Sequence, residues 1–177
     1  MSSGQDRSLE MLSTALELEK KGKRFYEEAI SACHNQIGRE MFRMLMKDEV
    51  MHMDRILKIY ESLKAGNAWS DDWKSIKPDH KDLGALFRDM ASAHGTKITA
   101  KTSDLEALDV GIDFESRAIS FYQEHLAKAT DSLEREFIEQ MIIEEKSHHA
   151  ALSDMKLYLS DSAAWFAEQE HPGLEGA

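Results

Sequence analysis

The strongest constraint on the fold is an internal repeat, in which identical residues recur 96 positions further along the chain. Its polar members are three pairs, Glu19/Glu115, Glu49/Glu145 and His52/His148. Apolar and charged residues share the displacement, among them Leu9/Leu105, Leu12/Leu108, Phe25/Phe121, Tyr26/Tyr122 and Arg39/Arg135. An internal duplication is the simplest account of this register. Two copies of one polar half-site predict a centre that holds two metal ions.

Each Glu-x-x-His pair interrupts an apolar stripe with helical spacing. Alternating steps of three and four residues through 42–63 meet apolar side chains except at Glu49 and His52. The same steps through 138–159 meet only the repeated Glu and His as polar residues. This spacing marks the face that a helix turns toward its partners, so the polar pairs are predicted to be buried.

Two further stripes carry one glutamate each. Steps through 9–30 pass Glu19, and steps through 105–126 pass Glu115. Lys23 is the one other charged residue on these two stripes, and its long stem allows the ammonium to reach solvent. Four helices packed by the four stripes bring four carboxylates and two imidazoles into one core.

This buried cluster is expected to bind divalent cations. An uncompensated carboxylate in a dry core costs several kcal/mol, and no Lys or Arg lies on the two Glu-x-x-His stripes. Two divalent cations balance four carboxylates, while neutral imidazoles complete the coordination. A separation of three residues places Glu and His about one helical turn apart on one face, so both reach one ion. A solitary Glu-x-x-His pair is more often a solvated surface pair; the duplication argues against that alternative.

The residues resemble a known family. Two helices that each supply a Glu and two that each supply Glu-x-x-His resemble the ferritin-like diiron-carboxylate proteins. The segments 17–26 and 113–122, each of which contains the repeated Glu and closes on Phe-Tyr, look most like rubrerythrin-type proteins. The resemblance implies an all-α, ferritin-like four-helix bundle. It also implies six metal ligands, which are Glu19, Glu49, His52, Glu115, Glu145 and His148.

The same resemblance implies a function, namely a non-haem diiron oxidoreductase that reduces hydrogen peroxide or dioxygen. Two iron ions are expected as cofactor, with manganese or zinc as alternatives. Glu19 and Glu115 are expected to bridge the ions. Tyr26 and Tyr122 are candidate catalytic residues that hydrogen-bond the carboxylates or relay electrons, although a role as core tyrosines is equally compatible with the sequence.

Two departures from rubrerythrins stand out. The chain has one cysteine, Cys33, and therefore lacks the Cys-rich rubredoxin module of full-length rubrerythrins, so an external electron-donor protein is expected. Ile112 and Ala118 flank Glu115 where rubrerythrins carry an additional Glu. Two other functions remain open: a ferroxidase or iron-storage module with Fe(II) as substrate, and a non-catalytic metal-binding scaffold.

The predicted organisation is a single domain over 1–177, with repeat halves at about 8–64 and 104–160 and a crossover at about 66–103. Helices are predicted over 8–32, 36–63 and 82–93, and a Ser103–Glu106 capping box is expected to open the next helix. The helix after it is expected to begin near Asp131 or Ser132. A short C-terminal helix containing Trp165 is expected to stop before His171.

Composition and the remaining residues indicate which binding partners and which cellular location to expect. A net charge of −11 opposes binding to nucleic acid and to anionic membranes, and no apolar run predicts a signal peptide or membrane span, so a cytoplasmic location is expected. The long crossover favours a homodimer, in which one helix pair docks on another chain. Trp69 and Trp73 are expected to pack the crossover on the bundle. His149 and His80 are not assigned to the site.

Overall fold

The computed structural model describes residues 4–98 and 100–170, and these residues form six α-helices, one 3-10 helix and no strand. The α-helices are α1 (Gly4–Ala32), α2 (Gln36–Lys64), α3 (Leu83–His94), α4 (Thr102–Leu126), α5 (Ser132–Ser160) and α6 (Ser162–Glu170). The 3-10 helix spans Asp72–Ser75, between α2 and α3. The predicted all-α architecture is confirmed.

The bundle consists of two helix pairs, as the repeat predicts. Helix α1 packs along α2 and α4 packs along α5, while fewer contacts join one pair to the other. Helix α1 begins four residues before the predicted start, because its first turns are attached to the bundle. Gln5 donates to the carbonyl of Leu63 at 2.6 Å, and Ser8 donates to the carboxylate of Glu134 at 2.7 Å.

The predicted Ser103–Glu106 capping box is wrong. Helix α4 begins at Thr102, and the carboxylate of Asp104 accepts a hydrogen bond from the backbone N–H of Lys101 at 3.2 Å. The same carboxylate accepts from the backbone N–H of His34 at 3.2 Å, so this tertiary contact favours Asp104 over Glu106 as the capping acid. The predicted start of α5 is confirmed, with the Asp131 carboxylate accepting from the first turn.

Two apolar clusters fill the bundle. One contains the buried residues Tyr26, Phe42, Leu45, Leu108, Leu152, Met155 and Trp165. The other contains Met11, Leu12, Ile56, Tyr122, Phe137, Ile138 and Met141. The residues that carry the repeat's Glu and His side chains are buried but belong to neither apolar cluster. The apolar stripes therefore pack as predicted.

The crossover is held on the bundle by aromatic side chains, as predicted. Trp69 and Trp73 contact Phe137 of α5, with ring centroids 5.9 Å and 5.4 Å apart. Helix α6 docks through Trp165, which is buried against Tyr158. The predicted stop before His171 lies outside the described residues. Within the described ranges, no helix is long and apolar enough to cross a membrane.

Candidate metal centre

The structure brings all six predicted ligand residues together from four helices. Helices α1 and α4 each contribute one Glu, and α2 and α5 each contribute a Glu and a His. Every one of these side chains is at most 2 % exposed. They are called the six-residue cluster below: Glu19, Glu49, His52, Glu115, Glu145 and His148.

Both histidines turn the same ring nitrogen toward the carboxylates. His52 Nδ1 lies 3.2 Å from Glu19 and 3.4 Å from Glu145. His148 Nδ1 lies 3.3 Å from Glu145, 3.6 Å from Glu115 and 3.8 Å from Glu49. The two rings stack with centroids 5.5 Å apart. The Nδ1 atoms therefore face one shared space, and Nε2 of each ring faces away from it.

The cluster contains polar atoms that protein donors do not satisfy. Both carboxylate oxygens of Glu49 and of Glu145, one oxygen of Glu115, and Nδ1 of His148 are buried without a hydrogen-bond partner. Buried polar atoms are normally paired, so this concentration requires a compensating group. Donor atoms of Glu49, Glu115, Glu145 and His148 lie within 4.8 Å of one another, as do those of Glu19, Glu49 and His52. Oxygen and imidazole ligands at such spacing fit a divalent metal.

The two candidate tyrosines each hydrogen-bond to a glutamate of the other helix pair. Tyr26 of α1 donates its hydroxyl to Glu115 of α4, and Tyr122 of α4 donates to Glu19 of α1. Both tyrosines are fully buried, and burial together with the adjacent glutamate raises the pKa of each phenol well above its ordinary value. The hydroxyls therefore remain protonated and orient the carboxylates.

Two acids that the sequence analysis did not assign contact the histidines from outside. Glu144 accepts from His52 Nε2 at 2.8 Å, and Asp48 accepts from His148 Nε2 at 3.1 Å. Each contact joins α2 to α5. These outer carboxylates immediately precede Glu145 and Glu49, and they occupy equivalent positions of the repeat. The repeat therefore contained the signal for them, because both halves have an acidic residue at this position although the two residues are not identical.

Each outer carboxylate has a further partner of its own. Arg55 donates to Glu144 at 2.7 Å, and His80 contacts Asp48 through Nε2 at 2.7 Å. Arg55 lies off the apolar stripes of α2, although it is 3 % exposed. His80 belongs to the crossover, so its role at this site, against expectation, depends on the path of that segment.

Burial and mutual repulsion separate the carboxylate pKa values. Burial, reinforced by Glu145, raises the pKa of Glu115 to about 8, and burial with Glu19 raises that of Glu49 well above its ordinary range. Burial acts in the same direction on Glu145, but His52 and His148 hold its pKa well below the usual value. The cluster without metal therefore keeps protons on some of its members.

For the two histidines, burial and the neighbouring charges shift the pKa in opposite directions. Burial alone lowers an imidazole pKa, but the neighbouring carboxylates, Glu145 for His52 and Glu115 for His148, raise both pKa values well above the usual value. In the metal-free molecule, bound protons thus balance part of the carboxylate charge, as metal cations would.

A cleft of about 800 Å³ opens on the outer side of the two histidines. It lies between the crossover, α2 and α5, and both outer carboxylates line it together with His148. Arg55, Trp73 and His80 form part of its wall. The cleft therefore reaches the six-residue cluster directly at His148, and the outer carboxylates lie beside that point.

Gly22 allows α1 to approach the cluster closely. A Cβ atom at this position would lie 2.8 Å from the ring of Phe114 and 3.0 Å from a carboxylate oxygen of Glu49. Its repeat counterpart is Ala118, so the two halves differ here. The absence of a side chain leaves room for Glu49 at the centre.

The fold and this site together define a ferritin-like four-helix bundle with a buried carboxylate–histidine metal-binding centre. The rubrerythrin family model matches residues 10–156. The chain therefore belongs to the rubrerythrin family. Searches of curated proteins and of solved structures found no match. The matched range includes all residues of the six-residue cluster and the crossover.

Proposed function

We propose that the protein is a non-haem diiron oxidoreductase that reduces hydrogen peroxide or dioxygen with electrons from an external donor protein. The observation that carries the proposal is the set of buried carboxylate and imidazole atoms without hydrogen-bond partners at the meeting point of four helices. Family membership supports the same chemistry. Iron suits this mixed oxygen and nitrogen donor set, and manganese or zinc also fits it.

In this proposal all members of the six-residue cluster are metal ligands. Glu19, Glu49 and His52 would hold one ion, and Glu49, Glu115, Glu145 and His148 would hold the other, with each histidine binding through Nδ1, the nitrogen that faces the carboxylates. Glu49 belongs to both sets, which favours it over Glu19 and Glu115 as a shared ligand. When bound, two ferrous ions supply two electrons, so that H2O2 and two protons give two molecules of water and two ferric ions.

The protein's own residues orient the ligands for this chemistry. The hydroxyls of Tyr26 and Tyr122 hold the carboxylates of Glu115 and Glu19 in place. The outer carboxylates of Glu144 and Asp48 accept from Nε2 of each histidine, which fixes the tautomer that leaves Nδ1 free to bind metal. The apolar clusters on the helices exclude bulk water around the site.

An anaerobic Fe(II) titration tests the proposal. Metal-free protein should bind about two Fe(II) per chain, and addition of peroxide should then produce a near-ultraviolet absorbance change complete at one peroxide per two irons. A donor-dependent steady-state turnover of peroxide is expected. Failure to retain iron, manganese or zinc after desalting would refute the metal assignment.

The same titration separates a ferroxidase or iron-storage function. A storage protein should take up many irons per chain and should consume Fe(II) with dioxygen without a separate reductant. Uptake that stops near two irons, with turnover only when a reductant is present, supports the oxidoreductase. Uptake without oxidation by either peroxide or dioxygen would leave only a metal-binding scaffold and would refute both reactions.

A further inference from the structure

The duplication breaks down at the partners of the two outer carboxylates. Arg55, which contacts Glu144, has Ala151 as its counterpart in the second half of the repeat. His80, which contacts Asp48, lies on the crossover and outside both halves. The two histidines of the cluster therefore hydrogen-bond to carboxylates of unequal environment.

On the His52 side, the carboxylate of Glu144 is shared among three donors. One oxygen accepts from His52 Nε2 at 2.8 Å and from Arg55 at 2.7 Å, and the other accepts from Gln140 at 2.7 Å. Arg55 is held in place, because its Nε donates to the carbonyl of Ile76 at 2.8 Å. A guanidinium is permanently charged, so a full positive charge is fixed beside Glu144.

On the His148 side, two imidazoles contact Asp48. Its Oδ2 lies 3.1 Å from His148 Nε2 and 2.7 Å from His80 Nε2. No guanidinium or ammonium contacts Asp48 among the described residues. A neutral imidazole donates a hydrogen bond without the permanent charge of Arg55. The negative charge of Asp48 is therefore less neutralised than that of Glu144, and Asp48 is the stronger hydrogen-bond acceptor for its histidine.

This difference acts on the metal-binding nitrogen of each ring. A carboxylate that accepts from one ring nitrogen raises the basicity of the other and strengthens it as a ligand. Arg55 draws negative charge of the Glu144 carboxylate toward itself, so Glu144 raises the basicity of His52 Nδ1 less. His148 Nδ1 is therefore the stronger of the two imidazole donors.

The geometry of the inner carboxylates, which is an independent observation, points the same way. Three carboxylates, of Glu49, Glu115 and Glu145, gather with His148 within 4.8 Å. Two, of Glu19 and Glu49, gather with His52 within the same limit, and Glu49 is common to both sets. Glu145 also lies 3.4 Å from His52 Nδ1, but it gathers with the His148 set, which therefore has one carboxylate more. More anionic donors bind a divalent ion more strongly.

We propose that the two halves of the centre bind metal with unequal affinity, the His148 half first, and that Arg55 is the positioning residue that weakens the His52 half through Glu144. This inference rests on the proposed metal centre but adds to it an order of loading. Half-loaded protein then carries its ion at His148.

Calorimetric titration of the metal-free protein with Zn(II), which involves no redox chemistry, tests the order. The wild type should show two dissociation constants at least about tenfold apart, within the range that outer-sphere partners produce. Asp48→Asn should weaken the tighter constant by about tenfold or more, and Glu144→Gln should weaken the other. Two equal constants in the wild type, or the reverse assignment of the variants, would overturn the inference.

Arg55→Gln and Arg55→Lys are matched variants that separate charge from structure. Arg55→Gln removes the charge and should tighten the weaker constant about threefold to tenfold, whereas Arg55→Lys keeps the charge and should retain the wild-type difference. Helical circular dichroism confirms folding in both. Equal effects of the two substitutions would show a merely structural role and would overturn the assignment to Arg55. Absence of any Zn(II) or Fe(II) binding would instead refute the metal centre itself.

Discussion

The metal-free protein should become less stable as the pH rises from 5 to 7. The cause is the cluster of buried carboxylates, in which Glu115 has a pKa of about 8 against 4.5 for an ordinary Glu. The folded chain therefore binds this proton more tightly than the unfolded chain does. Stability from such a group is fully present below pH 4.5 and is lost as the pH rises toward 8.

The magnitude follows from linkage. Between pH 5 and pH 7, Glu115 alone should remove roughly 2 to 3 kcal/mol from the free energy of unfolding, because its pKa is higher in the folded than in the unfolded chain. For a chain of this size that corresponds to a fall in Tm of roughly 5 to 10 °C. Glu49 and both histidines have raised pKa values and act in the same direction. Glu144 and Glu145, with lowered pKa values, lose stability only below about pH 4.5.

Bound metal should reverse this dependence, because cations replace the protons and their affinity rises with pH. Differential scanning calorimetry of chelator-treated and Zn(II)-loaded protein at pH 5, 6 and 7 measures both trends. The gap in Tm between the two forms should widen by at least about 5 °C over this range.

Glu115→Gln is the matched control, since it replaces a carboxylate by a neutral side chain of nearly the same shape. Between pH 5 and pH 7, the free energy of unfolding of the metal-free variant should change by roughly 2 to 3 kcal/mol less than that of the wild type. A wild-type metal-free Tm that rises between pH 5 and 7, or a variant with an undiminished slope, would refute the electrostatic reasoning.

Other substitutions test the site and the assembly. Glu115→Ala should leave the helical circular dichroism near wild type, reduce iron content and slow peroxide-driven oxidation at least about tenfold; unchanged kinetics with full iron would refute its role as a metal ligand. Gly22→Ala should lower stability by about 1 to 3 kcal/mol in denaturant unfolding, because its Cβ would collide with Phe114, despite the higher helix propensity of Ala; a more stable variant would contradict this. Tyr26→Phe should destabilise the metal-free protein by about 1 to 3 kcal/mol through the lost hydrogen bond to Glu115, with metal stoichiometry unchanged. Sedimentation should show a homodimer, and a strict monomer at micromolar concentration would refute that prediction.

The helix pairs and the six-residue cluster were predictable from the sequence for a local reason. Helical spacing fixes which side chains share a face, so Glu49 and His52 could be placed on a buried stripe before any tertiary contact was known. The repeat then related this stripe to its copy on α5. The exact start of α4 was not predictable in this way, because a contact from His34 helps to select Asp104 as the capping acid.

The outer carboxylates were only partly predictable from the sequence. Asp48 and Glu144 occupy equivalent positions of the repeat, but a comparison of identical residues passes over an Asp matched with a Glu. Their function also depends on crossed contacts, in which the acid of one helix accepts from the histidine of the other. Local periodicity does not specify which partner lies across a helix interface.

The sequence by itself determined the four helices, the stripe on which each Glu and His lies, and thus the ligand types available at the centre. Only the tertiary structure decided that the crossover places His80 on Asp48 and that Arg55 reaches Glu144. The physical reason is range: helical periodicity acts over a few residues, whereas these contacts depend on how distant segments pack, including the docking of Trp73 on Phe137. The difference between the two halves of the site therefore comes from packing.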